Sequence, residues 1–173
     1  MIFFDNASTT KADLECMDIL KTYCVEKFYN PSSLYHQSVE VKKDIKKARE
    51  SVHNALRGAG SIVFTSGGTE SSNIALLGAV KRKNSRIIIS KSEHSAVKNT
   101  VKKLSEVGYE VLECEVDICG RVDIKNFKEL ISDNTSLVSI MHINNETGGI
   151  NDIKSLVKVA KEINHNIVFH CDG

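Results

Sequence analysis

The 173 residues are 41% apolar and 26% charged, the balance of a soluble domain with a sizeable core, and no run is apolar enough to span a membrane. A net charge of +1 gives no electrostatic case for nucleic acid or a membrane surface as partner. The first residues, Met1-Ile2-Phe3-Phe4-Asp5, do not read as a signal peptide, so the expected compartment is the cytoplasm.

In chain order, Asp5-Asn6-Ala7-Ser8-Thr9-Thr10 reads as a turn or loop. Asp13 is placed to cap a helix with Leu14, Met17, Leu20 and Cys24 on one face, ending near Phe28 ahead of the Tyr29-Asn30-Pro31-Ser32-Ser33 loop. Val41, Ile45, Ala48, Val52 and Leu56 then mark a longer helix. Its lysine-rich opposite face reads as solvated, and Gly58 and Gly60 suit its C-terminus. From residue 62 strands and helices alternate. Strands are expected at 62–65, 86–90, 109–115, 137–141 and 167–171. Helices are expected at 70–81, around Val97–Leu104, at 124–131 and around Ile153–Ile163. Crossovers of this length give an α/β fold with a mainly parallel sheet and flanking helices. The length could hold one domain with a sizeable core, and nothing marks an interdomain linker.

The five cysteines, Cys16, Cys24, Cys114, Cys119 and Cys171, are odd in number and form no Cys-x-x-Cys pair. A disulfide framework or a metal site is not expected; each reads as a small buried hydrophobe.

Four strands lead into polar clusters. Strand 62–65 leads into Ser66-Gly67-Gly68-Thr69, and strand 86–90 into Lys91-Ser92-Glu93-His94. Strand 137–141 leads into His142-Ile143-Asn144-Asn145, and the last into Asp172. In a parallel sheet all four lie on the carboxyl edge, where open α/β sheets bind ligands. The glycine turn before a helix is an anion site or an ordinary capping turn; Gly68 and Thr69 would hold a phosphate. His94 can stack on a planar ring and move protons, or simply cap a helix. Asn145 can hydrogen-bond a ring hydroxyl. Asp172 can pair with a protonated ring nitrogen, or cap a following helix. His142 is the weaker catalyst, because the strand is expected to continue through it.

Six stretches carry a resemblance: 4–10, 30–33, 65–71, Ser92-Glu93-His94, 141–148 and Phe169-His170-Cys171-Asp172. In order, and over the whole chain, they resemble motifs of the cysteine desulfurases. These are fold-type I pyridoxal 5'-phosphate (PLP) enzymes of the class V aminotransferase family. The resemblance implies PLP as cofactor. It implies phosphate binding by Gly68 and Thr69, ring stacking and acid/base work by His94, a ring-hydroxyl contact for Asn145, and Asp172 at the pyridine nitrogen. It implies L-cysteine as substrate, alanine as product, a protein persulfide passed to a sulfur-acceptor protein for iron–sulfur clusters or tRNA thiolation, and a homodimer. A selenocysteine lyase, another aminotransferase, or a non-catalytic binding or dimerisation module are the alternatives.

Departures are Ser38 in place of glycine, Asn151 in place of glutamine and Gly173 in place of alanine. The resemblance also implies that 1–173 is an N-terminal portion: an N-terminal segment plus the first part of the PLP-binding large domain. The Schiff-base lysine, the persulfide cysteine and the small domain are not among the 173 residues. The chain alone is therefore expected to be inactive, and strand 62–65 to lack the neighbours that cover it.

Overall fold

The computed structural model describes residues 2–80 and 82–173. Met1 and Lys81, the latter the expected end of helix 70–81, lie outside the described residues. The chain forms two compact units, Met1–Phe64 and Thr65–Gly173.

In the first unit, helix α1 spans Leu14–Lys21 and starts where the Asp13 carboxylate accepts the Glu15 N–H at 2.8 Å. It runs on as one π-helical turn, Thr22–Glu26. Its apolar face is not buried: no residue of α1 or of the π turn is. Helix α2 spans His36–Leu56 and buries Ser38 and Val41. Asp44 on α2 accepts the Tyr23 hydroxyl and the Lys27 ammonium, each at 2.9 Å, which ties α2 to the π turn. Neither Gly58 nor Gly60 ends α2. Arg57 does so, in the left-handed conformation with φ 49° and ψ 30°, because the turn comes directly after Leu56.

Ser38 is fully buried and its Oγ has no hydrogen-bond partner. A buried hydroxyl without a partner costs its lost hydration. Ser38→Ala should therefore raise the unfolding free energy by about 1 kcal/mol, read from the urea midpoint.

Residues 62–65 are not a strand. A strand exists through its ladder, and no ladder partner is present among the described residues. The Ile62 carbonyl instead accepts Arg49 Nε at 3.0 Å, and Val63 and Phe64 stand exposed.

In the second unit, helix α3 (Gly68–Ala79) precedes strand β1 (Arg86–Ser90), helix α4 (Ser95–Glu106) and strand β2 (Glu110–Cys114). Helix α5 (Ile124–Leu130), strand β3 (Thr135–Ser139), helix α6 (Ile153–Ile163) and strand β4 (Val168–His170) complete it. The sheet is parallel throughout, in the order β2-β1-β3-β4. The pleat sorts the apolar strand residues onto two faces. Ile87, Ile89 and Leu137 meet Leu76 of α3 and Val97, Val101 and Leu104 of α4. Ile88, Val138, Ile140 and Ile167 meet Phe127 of α5, Ile131, and Leu156 and Ala160 of α6. Ile87, Ile88 and Ile89 are each at most 1% exposed, so the centre of the sheet is dry on both sides.

Winding runs outward from β1 to β2, returns to β3 on the other side of β1, and continues to β4. This reversal sends α4 to one face and α5 and α6 to the other. It also puts the topological switch point between the carboxyl ends of β1 and β3, where two crossovers leave in opposite directions.

Candidate active site

The exits of β1, β3 and β4 meet at that switch point. The expected extent of β3 needs correction: the strand ends at Ser139, and His142 stands exposed in a bend. Pairing with the chain after β4 nevertheless continues as single bonds, from Ile140 N–H to the His170 carbonyl (3.1 Å) and from His142 N–H to the Asp172 carbonyl (2.8 Å). The second bond fixes the backbone of Asp172, which is half-buried. Below it, Ser139 Oγ and His170 Nδ1 lie 2.8 Å apart, and burial lowers the His170 pKa while the Asp172 charge opposes it.

Glu93 joins the exits of β1 and β3. Its Oε1 accepts Ser90 Oγ at 2.6 Å and the Met141 N–H at 2.7 Å. The residue is 4% exposed, and its Oε2 has no partner. Burial pushes this carboxyl up to about 7; the bonds from Ser90 and Met141 pull the other way, and the Asp172 charge adds to the rise.

His94 is the N-cap of α4, and its Nδ1 accepts the Ala96 N–H at 3.1 Å. Capping and ligand binding are compatible here. The ring is exposed, and an accepting Nδ1 in the neutral imidazole puts the proton on Nε2.

Asn145 is exposed at the tip of a turn that its neighbour builds. Asn144 Oδ1 accepts the Glu146 and Thr147 N–H groups at 2.9 and 3.0 Å, and Nδ2 donates to the Ser92 carbonyl at 3.2 Å. Asn151 anchors the far side, donating to the Met141 carbonyl and accepting the Val122 N–H. The Thr147 hydroxyl donates to the Cys119 carbonyl at 2.5 Å, which docks the turn onto the loop after β2.

Gly68 and Thr69 open α3, and among the described residues no side chain caps that end. The helix therefore presents free N–H donors and its positive dipole end. The glycines do not supply left-handed geometry: Gly67 is extended, with φ 162°, and a Cβ on Gly67 or Gly68 would meet nothing within 4 Å. What they supply is uncovered backbone. Just ahead of the helix, the Ser66 N–H bonds the Glu70 carboxylate and holds its pKa below the usual range. Asn73 ties this end to α4, donating to the Thr69 carbonyl and accepting the Thr100 hydroxyl.

Direct bonds thus join the exits of β1, β3 and β4, through Glu93 to Met141 and through His142 to Asp172. Among the described residues no bond links Thr69 or Asn145 to either of them. Glu93, Asn144 and Asn151 are the residues that sequence reasoning gave no part in the site. The cysteines also need correction: only Cys114 is buried, its thiol pushed up to about 12, while the other four are exposed. Cys16 and Cys24 lie on helical turns without a buried face, Cys119 in a tight turn, and Cys171 beyond β4.

Comparison with known proteins agrees with this architecture. The family model described as aminotransferase class-V matches residues 2–173. A protein named cysteine desulfurase IscS from Dictyoglomus turgidum is 43% identical over 177 residues, covering 99% of this chain and 44% of that protein. A solved structure titled NIFS-LIKE PROTEIN superposes with a TM-score of 0.93 at 35% identity, over 99% of this chain and 48% of the other. Another, titled SspA in complex with cysteine, gives 0.88 at 31% identity, over 99% and 50%. The chain spans about half the length of these relatives. With a parallel sheet that reverses its winding at a switch point and a family match over residues 2–173, the chain belongs to the class-V aminotransferase family.

Proposed function

We propose that the chain carries the non-covalent part of the PLP site of a cysteine desulfurase. The observation that carries this reading is the bonding of three strand exits at the switch point, with a carboxylate, an exposed imidazole and an uncapped helix N-terminus in the same unit. The donor set fits the cofactor. An uncapped helix end suits a phosphate dianion, and a half-buried carboxylate suits a protonated ring nitrogen. An amide suits a phenolic oxygen, and an exposed imidazole suits a ring face.

PLP, when bound, supplies an electron sink for bonds at the substrate's α-carbon. Gly68 and Thr69 hold the phosphate. Asp172 holds the ring nitrogen in its charged form. Asn145 orients the ring through its hydroxyl. His94 covers one face and holds or moves a proton at Nε2. On this reading the full reaction takes L-cysteine to L-alanine and passes sulfur, through a protein persulfide, to an acceptor protein in the cytoplasm, and the working form is a homodimer. No lysine or cysteine among the 173 residues takes the covalent roles, so this chain contributes binding and orientation.

The test is a PLP titration of the purified chain, followed by absorbance. Weak, saturable binding in competition with inorganic phosphate is expected. Asp172→Ala should change the absorbance of the bound cofactor and weaken binding about tenfold or more, the worth of a charge-assisted hydrogen bond. His94→Ala should change the spectrum as well. Failure of both PLP and phosphate to bind would overturn the reading.

A further inference from the structure

Asn144 stands where the loops after β1, β2 and β3 meet, and it has no part in the roles above. It is 6% exposed. Its Oδ1 accepts the Glu146 and Thr147 N–H groups at 2.9 and 3.0 Å. Its Nδ2 donates to the Ser92 carbonyl at 3.2 Å and lies 3.6 Å from Met141 Sδ. Both lone pairs and both N–H groups of the amide therefore face protein atoms, and none is left for a ligand. The three loops close round it. Ser92 Oγ, after β1, donates to the Gly120 carbonyl, after β2, at 2.9 Å. A Cβ at Gly120 would meet Asn144 Nδ2 at 3.2 Å and Ser92 Cβ at 3.3 Å, so the amide is packed as well as bonded. The Asn144 main chain is held too: its N–H donates to the Gly149 carbonyl at 2.9 Å, and its carbonyl accepts the Gly148 N–H at 2.8 Å.

We propose that Asn144 is a positioning residue that fixes the loop of His94 and the turn of Asn145 to one another. One end of its amide shapes the turn whose tip is Asn145. The other end grips the carbonyl two residues before His94. His94 is held from its far side by the bond from the Ala96 N–H to its Nδ1, so the loop is anchored at both ends. One planar amide, rather than two independent loops, then sets the spacing of these two exposed residues. What that spacing does for a ring hydroxyl and a ring face rests on the PLP reading above. Asparagine is the side chain that can do this. Aspartate keeps the two accepting bonds but offers Ser92 no donor, and alanine keeps neither.

The experiment has a ligand-free arm and a PLP arm, both on the 173-residue chain. In the first, backbone 15N relaxation gives order parameters. The wild type should be rigid through Ser92–His94 and Asn145–Thr147, at about 0.85, and Asn144→Ala should bring both segments below about 0.6 while β1 and β3 stay rigid. Asn144→Asp should keep Asn145–Thr147 rigid and loosen Ser92–His94 alone. In the second arm Asn144→Ala should weaken PLP binding about fivefold or more, the worth of a lost hydrogen bond. The double variant with Asn145→Ala should bind PLP no more weakly than Asn144→Ala alone, because a misplaced amide and an absent one lose the same contact. Inorganic phosphate, the probe of the α3 N-terminus, should bind all variants alike. A merely structural Asn144 would lower PLP and phosphate binding together. Unchanged order parameters in Asn144→Ala, or additive losses of PLP binding in the double variant, would overturn the proposal. Should the alanine variant not fold, Asn144→Asp decides: a rigid Ser92–His94 in it would overturn the proposal. A wild type that binds neither PLP nor phosphate would overturn only the proposed function, since the ligand-free arm needs no cofactor.

Discussion

Between pH 4.5 and about 7 the folded chain should lose about 3 kcal/mol of stability through Glu93 alone, and Glu93→Gln should abolish that slope. The folded group keeps its proton up to about pH 7, whereas the unfolded group releases it near 4.5. Over that window the native state binds more protons than the unfolded one, so its stability falls as pH rises. The contribution is fully present below pH 4.5, decays through the window, and is gone above it. A shift of about 2.5 units at 1.36 kcal/mol per unit gives the stated size. His170, whose pKa is lowered, acts in the opposite sense below its ordinary value, so the comparison must be with the variant. Urea unfolding at about pH 5 and about pH 8, in wild type and in Glu93→Gln, measures it directly. Equal pH slopes in the two proteins would mean that Glu93 is ionised in the fold.

Gly149→Ala should detach the Asn144–Gly149 turn from the loop after β2 and cost about 3 kcal/mol or more, beyond the usual range for overpacking. A Cβ at this position would sit 1.9 Å from the Cys119 carbonyl oxygen and 2.9 Å from its carbon. These are backbone atoms, so no side chain can swing away to make room. Separation would also break the bond from Thr147 to the Cys119 carbonyl and strain the bond from Asn144 N–H to the Gly149 carbonyl. Asn145, carried on that turn, would lose its fixed position. Thermal melts and the PLP titration should therefore both respond. Gly148→Ala is the control: its φ of 74° adds strain, but a Cβ there meets nothing within 4 Å, so its cost should be smaller.

Much of the second unit was legible in the sequence, because its signals are local. Ile87-Ile88-Ile89 can be dry on both faces only as a central parallel strand, and helices of the right length separate it from its neighbours. Gly108 follows α4 with φ 99°, as a helix-ending glycine should. The misses concern partners rather than propensity. Ile62-Val63-Phe64 has the composition of a strand, but a ladder depends on what lies beside it. The apolar stripe of α1 has helical spacing, yet spacing does not say whether anything packs on it. In the sequence Glu93 stands only as part of the Ser92-Glu93-His94 motif. Its importance comes from Met141, 48 residues later in the chain, and from the burial that the whole sheet imposes. Asn144 sits beside Asn145 in the same cluster, and an asparagine whose side chain accepts the N–H groups two and three residues on is itself a turn signal.

The way the sheet is wound also bears on how the switch point is assembled during synthesis. β1 and β2, with α4 between them, can dock as soon as Cys114 has left the ribosome, but the other edge of β1 stays open until β3 follows. At 5–20 residues per second, the roughly 25 residues from Cys114 to Ser139 take about 1–5 s. For that interval Ile88 lacks the helices that later cover it, and Glu93 waits for the amide that will hold it. The nascent chain is therefore most exposed to misassociation at the place where the finished protein gathers its polar groups.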